Sequence, residues 1–470
     1  MKKIFALLLI TNFFISFAQE LIVEEKFEKN NIPLNYEFIE NTNSIIIQKG
    51  KFVGMSKNKQ VNQLVSYDSK GNKKVLLENG EYMFPNFSND GKTICLSDYN
   101  ALSWKGKKYQ ILYNGHLSKV IEMDDFYVSK SNDTHQYYFR FGNFKKDDLF
   151  MWKRDMNDLK LNKVIVEKPI IDRLFCDNCV KFDDNKVPFS TLQTEEGFEI
   201  NTLSVHDECK SLIYYRTFYD NNGIKNNEYS YEIKLNENYL TVSSAFDTEY
   251  SSSSVRRQEL GFVGFLEDKT TKEVYLYGLI GENGHKSSNA FNTPLGYYIF
   301  KFNQDGAKIW ESINYIDDDK HFSRKWNGFY LIKNLIIQNS KLMFFTGSRL
   351  SNSAHFFHLA ELNKEDGKII STDKYEYDIK NINIVMNVDP RDRMFIASYL
   401  TDKKLLKNKV LDFMGYIFYL KNQTFKNYID NITIKDKIMF QSPVANGEDG
   451  FWLVETDNET YYKILYFKHE

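Results

Sequence analysis

The feature that most limits what this chain can fold into is the two-residue alternation of its apolar side chains. Four runs alternate in this way and are dense in β-branched and aromatic residues: 273–280, 341–346, 393–400 and 450–455. A second apolar run follows some of them, as at 296–302 and 355–362. Successive side chains of a strand point to opposite faces of a sheet, so this period indicates strands. The aromatic content of 16% also favours strands, and the sequence predicts an all-β protein.

Glycine-containing turns separate these runs. They lie at 303–306, 364–367, 69–71 and 89–91. Glycine adopts positive φ angles without steric cost, and tight turns between antiparallel strands require such angles. The turns therefore predict hairpins that connect consecutive strands.

The strand-and-turn module repeats along the chain. Residues 274–278, 343–347 and 393–397 align as five-residue segments that end in a small residue, which fits an inner strand near a crowded axis. Similar units begin near Ser44, Lys92, His135, Ser211 and Gly450. About eight modules result, compatible with ~40 to 50 residues per propeller blade plus insertions. We predict a single β-propeller of about seven or eight blades over residues 19–470; the alternatives are an antiparallel sandwich and two tandem β domains.

The two ends of the predicted propeller complement each other. The last unit, residues 450–468, lacks an outer strand, and residues 20–27 can supply it. Such a pairing closes the ring and removes exposed sheet edges.

Residues 1–18 have the three parts of a secretory signal peptide. Lys2 and Lys3 are followed by an apolar run at 4–17, and the sequence Ser16-Phe17-Ala18 places small residues at a cleavage site. The run is shorter than the ~20 apolar residues of a spanning helix, which disfavours the alternative of a retained anchor. The first cysteine is Cys95, so the cleavage site lacks a lipoprotein cysteine. We expect cleavage near Ala18 and a periplasmic or extracellular protein with no membrane span.

The charge of the chain excludes one class of partner. Removal of Lys2 and Lys3 takes the formal net charge from −2 to −4, and acidic and basic residues are interspersed. Nucleic-acid binding needs a concentrated basic patch, which this pattern lacks. We expect a monomer that binds a protein, a peptide or a glycan and needs no cofactor.

Two stretches resemble known propeller repeats. Residues 84–97 resemble the TolB-like repeat, in which Pro-x-Phe-Ser-x-Asp-Gly-Lys precedes an apolar strand, and residues 298–310 resemble quinoprotein-type repeats. Residues 362–370 repeat the second pattern. These resemblances imply a fold and no activity. The sialidase Asp box and the adjacent cysteine pair of quinoprotein dehydrogenases are both absent from the sequence. Composition and leader resemble exported proteins of Bacteroidota-type bacteria.

The cysteines offer the one candidate metal site. Cys176 and Cys179 form a C-x-x-C motif, and His206 and Cys209 follow it, so these four residues have ligand types suited to Zn²⁺. In an oxidising compartment disulfides are the preferred interpretation of the same cysteines. Cys95 lies in an apolar run and is interpreted as a buried small hydrophobe.

No local motif indicates catalysis. The acidic loop at 317–321 and the charged loop at 389–393 are better explained as a solvated turn and as mutual ion pairs. We therefore favour a binding or scaffold module. The alternative is a polysaccharide-active hydrolase or lyase whose carboxylates come from several blades, because such residues need no local motif.

Overall fold

The structure is a computed structural model that describes part of the chain. The described residues are 19–26, 32–39, 44–51, 60–78, 84–87, 93–97, 107–113, 116–117, 121–123, 127–131, 134–140, 149–155, 160–170, 189–206, 210–236, 239–242, 263–282, 294–316, 332–338, 340–349, 354–378, 383–388, 394–399, 424, 427, 439–447, 450–456 and 461–468.

The regular elements of these residues are β-strands, which confirms the all-β prediction. Up to residue 125 they are β1 (Gln19–Lys26), β2 (Ile32–Ile39), β3 (Ser44–Lys51), β4 (Gln60–Asp68), β5 (Lys73–Glu78), β6 (Phe84–Phe87), β7 (Thr93–Ser97), β8 (Lys107–Tyr113), β9 (His116–Leu117) and β10 (Ile121–Met123). From 126 to 380 they are β11 (Tyr127–Ser131), β12 (His135–Arg140), β13 (Phe150–Asp155), β14 (Leu161–Ile165), β15 (Phe189–Gln193), β16 (Gly197–His206), β17 (Ser211–Asp220), β18 (Lys225–Lys234), β19 (Tyr239–Val242), β20 (Gly264–Glu267), β21 (Val274–Glu282), β22 (Pro294–Phe302), β23 (Lys308–Tyr315), β24 (Ile332–Gln338), β25 (Lys341–Arg349), β26 (Ala354–Asn363) and β27 (Ile369–Asp378). The last are β28 (Asn383–Val388), β29 (Met394–Tyr399), β30 (Met439–Gly447), β31 (Gly450–Thr456) and β32 (Tyr461–Lys468).

The strands pair antiparallel in sheets that are mostly simple meanders. In chain order we name them sheet I (β2–β5), II (β6–β10), III (β11–β14), IV (β15–β18), V (β19–β23), VI (β24–β27), VII (β28 and β29) and VIII (β30–β32 with β1). Sheet II has the order β6-β7-β8-β10 with β9 on β8, and sheet V has the order β19-β21-β22-β23 with β20 on β21. Four antiparallel strands in sequence are the usual propeller blade.

The chain divides into two compact units. The first comprises Met1–Asp125, Asn381–Asp389 and Met394–Glu470, and therefore holds sheets I, II, VII and VIII. The second comprises Phe126–Lys380 and Pro390–Arg393, and holds sheets III to VI.

In the first unit sheet I packs face to face against two neighbours. One face forms a core with sheet VIII that includes Ile47, Tyr67 and Trp452. The other face forms a core with sheet II around Ile46 and Ile94. Strand β2 lies against β30, so the first strands of sheets I and VIII are neighbours.

In the second unit the sheets stack in chain order. Sheets III and IV share a core that includes Met151 and Phe198. Sheets IV, V and VI share a larger one that includes Tyr214, Phe300 and Phe344. The first strands of sheets III and IV meet, because β11 contacts β15, and the first strand of sheet VI, β24, contacts β20 and β21 of sheet V. We call each face-to-face contact between two sheets a seam.

One turn recurs at four of these seams. It links the last two strands of sheets I, IV, V and VI, and its glycines have positive φ: Gly71 (+79°), Gly223 (+77°), Gly306 (+92°) and Gly367 (+70°). The first turn residue accepts backbone N–H hydrogen bonds through its side-chain oxygen, as Asp220 does from Asn222 at 2.8 Å and from Ile224 at 2.9 Å. This Asx-type turn explains the choice of Asp or Asn before the glycine.

Each of these turns rests on the last strand of the neighbouring sheet. A Cβ on Gly71 would lie 2.6 Å from the carbonyl oxygen of Ile22, and one on Gly306 would lie 2.2 Å from that of Ser230. Gly223 faces Ile165 and Gly367 faces Trp310 in the same way. The glycines are thus required both by the backbone angle and by the closeness of the next sheet.

Several sequence predictions can be compared with these elements. The runs at 273–280 and 341–346 lie in β21 and β25, and the predicted turns at 69–71, 303–306 and 364–367 are present; the turn at 89–91 lies outside the described residues. The predicted partner of the last unit is also confirmed, because β1 pairs antiparallel with β32. One interpretation is wrong. The segments that end in Gly278 and Gly347 are predicted from the sequence to be inner strands near the axis of a propeller, which are the first strands of the blades, but they lie in the second strands of their sheets.

Candidate functional site

The predicted cysteine–histidine set lies only partly in the described chain. Cys176, Cys179 and Cys209 are outside the described residues, as is the side chain of Cys95. His206 ends β16, directly across from Ser211 in β17, and is half-buried. Its Nε2 is shielded from solvent and has no hydrogen-bond partner among the described residues. Thr202, on the same face of β16, donates a 2.7 Å hydrogen bond to the carbonyl of Ile170, which fixes the chain shortly before Cys176.

The other sequence candidates give no metal site within the described residues. The loops at 317–321 and 389–393 lie outside them. His358 is buried in β26 opposite Thr346. Among the residues that the structure describes, no three His, Cys, Asp or Glu side chains are grouped so as to hold a metal ion.

Charged side chains meet at the seam between sheets VIII and I. Glu25 of β1 accepts hydrogen bonds from Lys49 of β3 at 2.9 Å and from Lys73 of β5 at 2.7 Å. The hydroxyls of Tyr67 and Tyr462 also donate to its carboxylate and contact each other. We call these five residues the terminal-strand cluster. They tie β1 to sheet I by side chains, in addition to its backbone pairing with β32.

The electrostatics of this cluster keep Glu25 ionised. Partial burial raises the pKa of Glu25, but the hydrogen bonds from Lys73, Tyr462, Tyr67 and Lys49 outweigh it and lower the pKa to about 2. Burial raises the pKa of Tyr67 and Tyr462, and the adjacent carboxylate raises both further. Both phenols therefore remain hydrogen-bond donors. A carboxylate that accepts hydrogen bonds from four donors is stabilised in its ionised form. Glu25 therefore belongs to a stable ion-pair network and does not act as a proton donor.

A second cluster lies at the seam between sheets IV and V. Arg216 of β17 forms two hydrogen bonds to Glu199 of β16, at 2.7 and 2.8 Å, and one of 2.5 Å to Glu267 of β20. Its guanidinium also lies over the rings of Phe218 and Phe265, at 4.9 and 4.7 Å from their centroids. We call these five residues the arginine cluster. The Arg216 and Glu199 side chains are only 5% and 2% exposed, so this charge pair is buried.

A third set of charges joins sheets V and VI. Asp268, in the turn before β21, is paired with Lys364 of the turn that follows β26. Burial raises the pKa of Asp268, but hydrogen bonds from Lys364 and from the N–H groups of Thr270 and Thr271 lower it to about 2. Lys301, whose side chain is 2% exposed, pairs with Glu273 at 2.9 Å. Lys301 also donates a 3.3 Å hydrogen bond to the carbonyl of Lys364, so this contact and the Asp268–Lys364 pair join the two sheets at the recurring turn.

The described residues contain one His–Asp pair with partial exposure. His135 Nε2 lies 3.7 Å from Asp155 Oδ2 across β12 and β13, while Thr134 Oγ1 is 2.8 Å from Nδ1. Burial lowers the pKa of His135, and nearby Lys153 lowers it further, which leaves a neutral imidazole at pH 7. A separation of 3.7 Å exceeds a hydrogen bond, so this pair is not in an assembled acid–base geometry.

Sequence reasoning identified none of the three charge clusters. Each joins residues that are far apart in the chain; Tyr67 and Tyr462, for example, are 395 positions apart. The one available signal was a charged residue at an inward position of an apolar strand, such as Lys49 after the isoleucines of β3 or Arg216 within β17. A charge at such a position requires a partner, because an unpaired buried charge is costly.

Comparison with known proteins yields similar structures and no sequence family. No family model matches the chain, and no curated protein matches it. The β-propeller domain of the Trilobed protease from Pyrococcus furiosus, with an open velcro topology, has a TM-score of 0.35 and 12% identity, covering 79% of this chain and 91% of that one. A DUF4221-family protein from Bacteroides vulgatus has a TM-score of 0.34 and 10% identity, with coverages of 77% and 99%.

Enzymes are also among the similar structures. Oligogalacturonate lyase from Vibrio parahaemolyticus has a TM-score of 0.35 and 9% identity, covering 95% of this chain and 97% of that one. Likenesses this distant carry no argument about activity. Within the part of the chain that the structure describes, there is no helix long and apolar enough to span a membrane.

Proposed function

We propose that the protein is an exported binding or scaffold module for a protein, peptide or glycan partner. The observation that carries this proposal is the use of the buried charges. Glu25, Glu199 and Asp268 are each held by cations, and these contacts or their neighbours join adjacent sheets. Carboxylates that are paired with cations in this way stabilise a rigid frame and are not placed to act as proton donors. A rigid frame that presents loops is suited to binding.

We propose further that the eight sheets are blades of one propeller over residues 19–470, with β1 and β32 closing it. Supporting this, sheets I, III, IV and VI are four-stranded meanders, first strands meet where β2 lies against β30 and β11 against β15, and one turn recurs at four seams. Small-angle scattering on the purified chain tests it. A compact disc supports one ring, and an elongated two-body profile contradicts it.

Export remains part of the proposal. Residues 1–18 would be removed after Ala18, and the mature chain would then begin at Gln19, where β1 begins. It would reside in the periplasm or outside the cell. Amino-terminal sequencing of the protein from fractionated host cells tests this prediction. An intact Met1 in the cytoplasmic fraction would contradict it.

For the cysteines we propose disulfide pairing, with a zinc site formed by Cys176, Cys179, His206 and Cys209 as the alternative. Zinc content and free thiols of the protein purified without reductant distinguish the two. One zinc per chain that is lost in His206→Ala supports the metal site. Two or fewer free thiols and no zinc support disulfides.

The binding proposal is tested with the mature chain on a glycan array, on a peptide library, and against a panel of polysaccharides. Saturable binding without cleavage supports it. Release of reducing or unsaturated sugar would instead support the hydrolase or lyase alternative. His135→Ala is the control for that outcome: loss of cleavage at unchanged thermal stability would locate the chemistry at the His135–Asp155 pair.

A further inference from the structure

Three buried polar side chains lie at one end of the seam between sheets V and VI. Tyr297 of β22 stacks on Phe344 of β25, with ring centroids 4.3 Å apart and an interplanar angle of 22°. Thr346 lies two residues beyond Phe344 and so shares its face of β25. His358 of β26 is the direct cross-strand partner of Thr346. All three side chains therefore point toward the same part of the seam.

These side chains are as buried as the apolar core beside them. Tyr297 is 4% exposed, Thr346 0% and His358 3%. The hydroxyl oxygens of Tyr297 and Thr346 have no protein hydrogen-bond partner within the structure. Burial raises the pKa of Tyr297, so its hydroxyl stays protonated and remains a donor.

The rest of the seam shows that this end is unusual. Further along the same faces, β25 contributes Leu342 and Phe344, and β26 contributes Ala360 and Leu362, which belong to an apolar core. A buried hydroxyl that makes no hydrogen bond destabilises the fold, and native proteins usually satisfy such groups with protein atoms or ordered water. Two such hydroxyls in one region indicate a shared small partner.

The chemistry of the three side chains fits water. The tyrosine hydroxyl can donate, and the threonine hydroxyl can donate and accept. An internal water typically makes about three hydrogen bonds to groups of this kind. We propose that the end of the seam between sheets V and VI is an internal hydrogen-bonding site for ordered water, which bridges Tyr297 and Thr346 with His358 in its wall. This site is independent of the binding function proposed above.

The sign of a stability change tests the proposal. Thr346→Val and Tyr297→Phe each remove one hydroxyl with little change in shape. If water bridges the hydroxyls, each variant should melt lower by about 2 °C. The double variant should lose clearly less than the sum, because the two hydroxyls share one water. If the hydroxyls are dry, removing them should raise the melting temperature, and that result would overturn the proposal.

Controls separate hydration from a general cost of losing a hydroxyl. Thr202→Val and Tyr231→Phe remove hydroxyls that donate directly to backbone carbonyls, at 2.7 and 2.8 Å, and both should lower the melting temperature with full additivity. A crystal structure of the protein provides the direct readout. Electron density within hydrogen-bond distance of both Tyr297 and Thr346, lost in Thr346→Val, supports the site. A dry seam in the wild-type crystal would refute it.

Discussion

The terminal-strand cluster and the arginine cluster both place charge between two neighbouring sheets, yet they stabilise different parts of the fold. The arginine cluster combines Arg216 and Glu199, which lie on paired strands of one meander, with Glu267 of the next sheet. The terminal-strand cluster instead fastens β1, whose one backbone partner among the described strands is β32. The comparison shows that buried charge can reinforce a continuous sheet or can attach a strand from the far end of the chain.

The largest effect should come from breaking the more buried cluster. Arg216→Met leaves Glu199 as an unpaired charge in the core, which should cost about 3–5 kcal/mol of unfolding free energy. The double variant Arg216→Met/Glu199→Met removes both charges and should recover most of that loss. Urea unfolding followed by fluorescence measures both. A loss below about 1 kcal/mol for the single variant would mean that water reaches the pair.

The next largest effect should be the loss of stability that acid causes by protonating Glu25 in the terminal-strand cluster. The folded-state pKa of Glu25 is about 2, below its ordinary value of 4.5. The stabilisation it provides is therefore complete above pH 4.5 and is lost as the pH falls toward 2, by on the order of 3 kcal/mol. Glu25→Gln should flatten this part of the stability–pH curve measured by urea unfolding.

Asp268 is the matched control in the second unit, because its pKa is also lowered to about 2. Asp268→Asn should remove its own part of the acid sensitivity and leave that of Glu25. An unchanged curve in Glu25→Gln would show that β1 is not held by the ionised carboxylate.

Substitutions in the recurring turn compare the two units again, with a smaller expected loss of stability. Gly306→Ala in the second unit and Gly71→Ala in the first both place a Cβ at positive φ and against a neighbouring carbonyl. Each should cost about 2 kcal/mol. Asp305→Ala, in the same turn as Gly306, should change stability by less than about 0.5 kcal/mol. Equal effects of Gly306→Ala and Asp305→Ala in thermal unfolding would contradict the close packing of the turn.

The smallest effect is expected at an exposed pair. Lys308 and Glu311 are 2.5 Å apart on β23, with side chains 48% and 42% exposed. Lys308→Ala should cost no more than about 0.5 kcal/mol. Lys49→Met removes a lysine whose side chain is 2% exposed from a Glu25 contact of 2.9 Å, and should cost several times more. Equal losses of unfolding free energy in the two variants would show that burial does not determine the strength of these ion pairs.

Local patterns in the sequence predicted the strands and turns well, because both depend on neighbouring residues. Alternation identified β21 and β25, and the glycines at 71, 306 and 367 indicated the turns. First strands were harder to recognise: β6 has only four residues and contains Pro85, which weakens any strand pattern. The position of Gly278 was misread because a strand's place in its sheet depends on pairing and not on its own sequence.

Site chemistry was less predictable for the same reason. The terminal-strand cluster needs Glu25 beside Tyr462, a pair separated by 437 positions, and no local motif encodes such a meeting. The unsatisfied hydroxyls of Tyr297 and Thr346 are equally invisible in the sequence, since a tyrosine or threonine in a strand is ordinary. Only the packing of sheet on sheet shows which polar side chains are enclosed.

The pairing of β1 with β32 also has a consequence for the order of events during synthesis. Most sheets can form as soon as their own hairpins leave the ribosome, because their strands are consecutive. The first strand of the fold must wait for the last. At translation rates of roughly 5–20 residues per second, that delay is on the order of 20–90 seconds. During this time β1 has no strand to pair with. Any contact that covers β1 in this interval protects the newly made chain from pairing with the strands of other molecules.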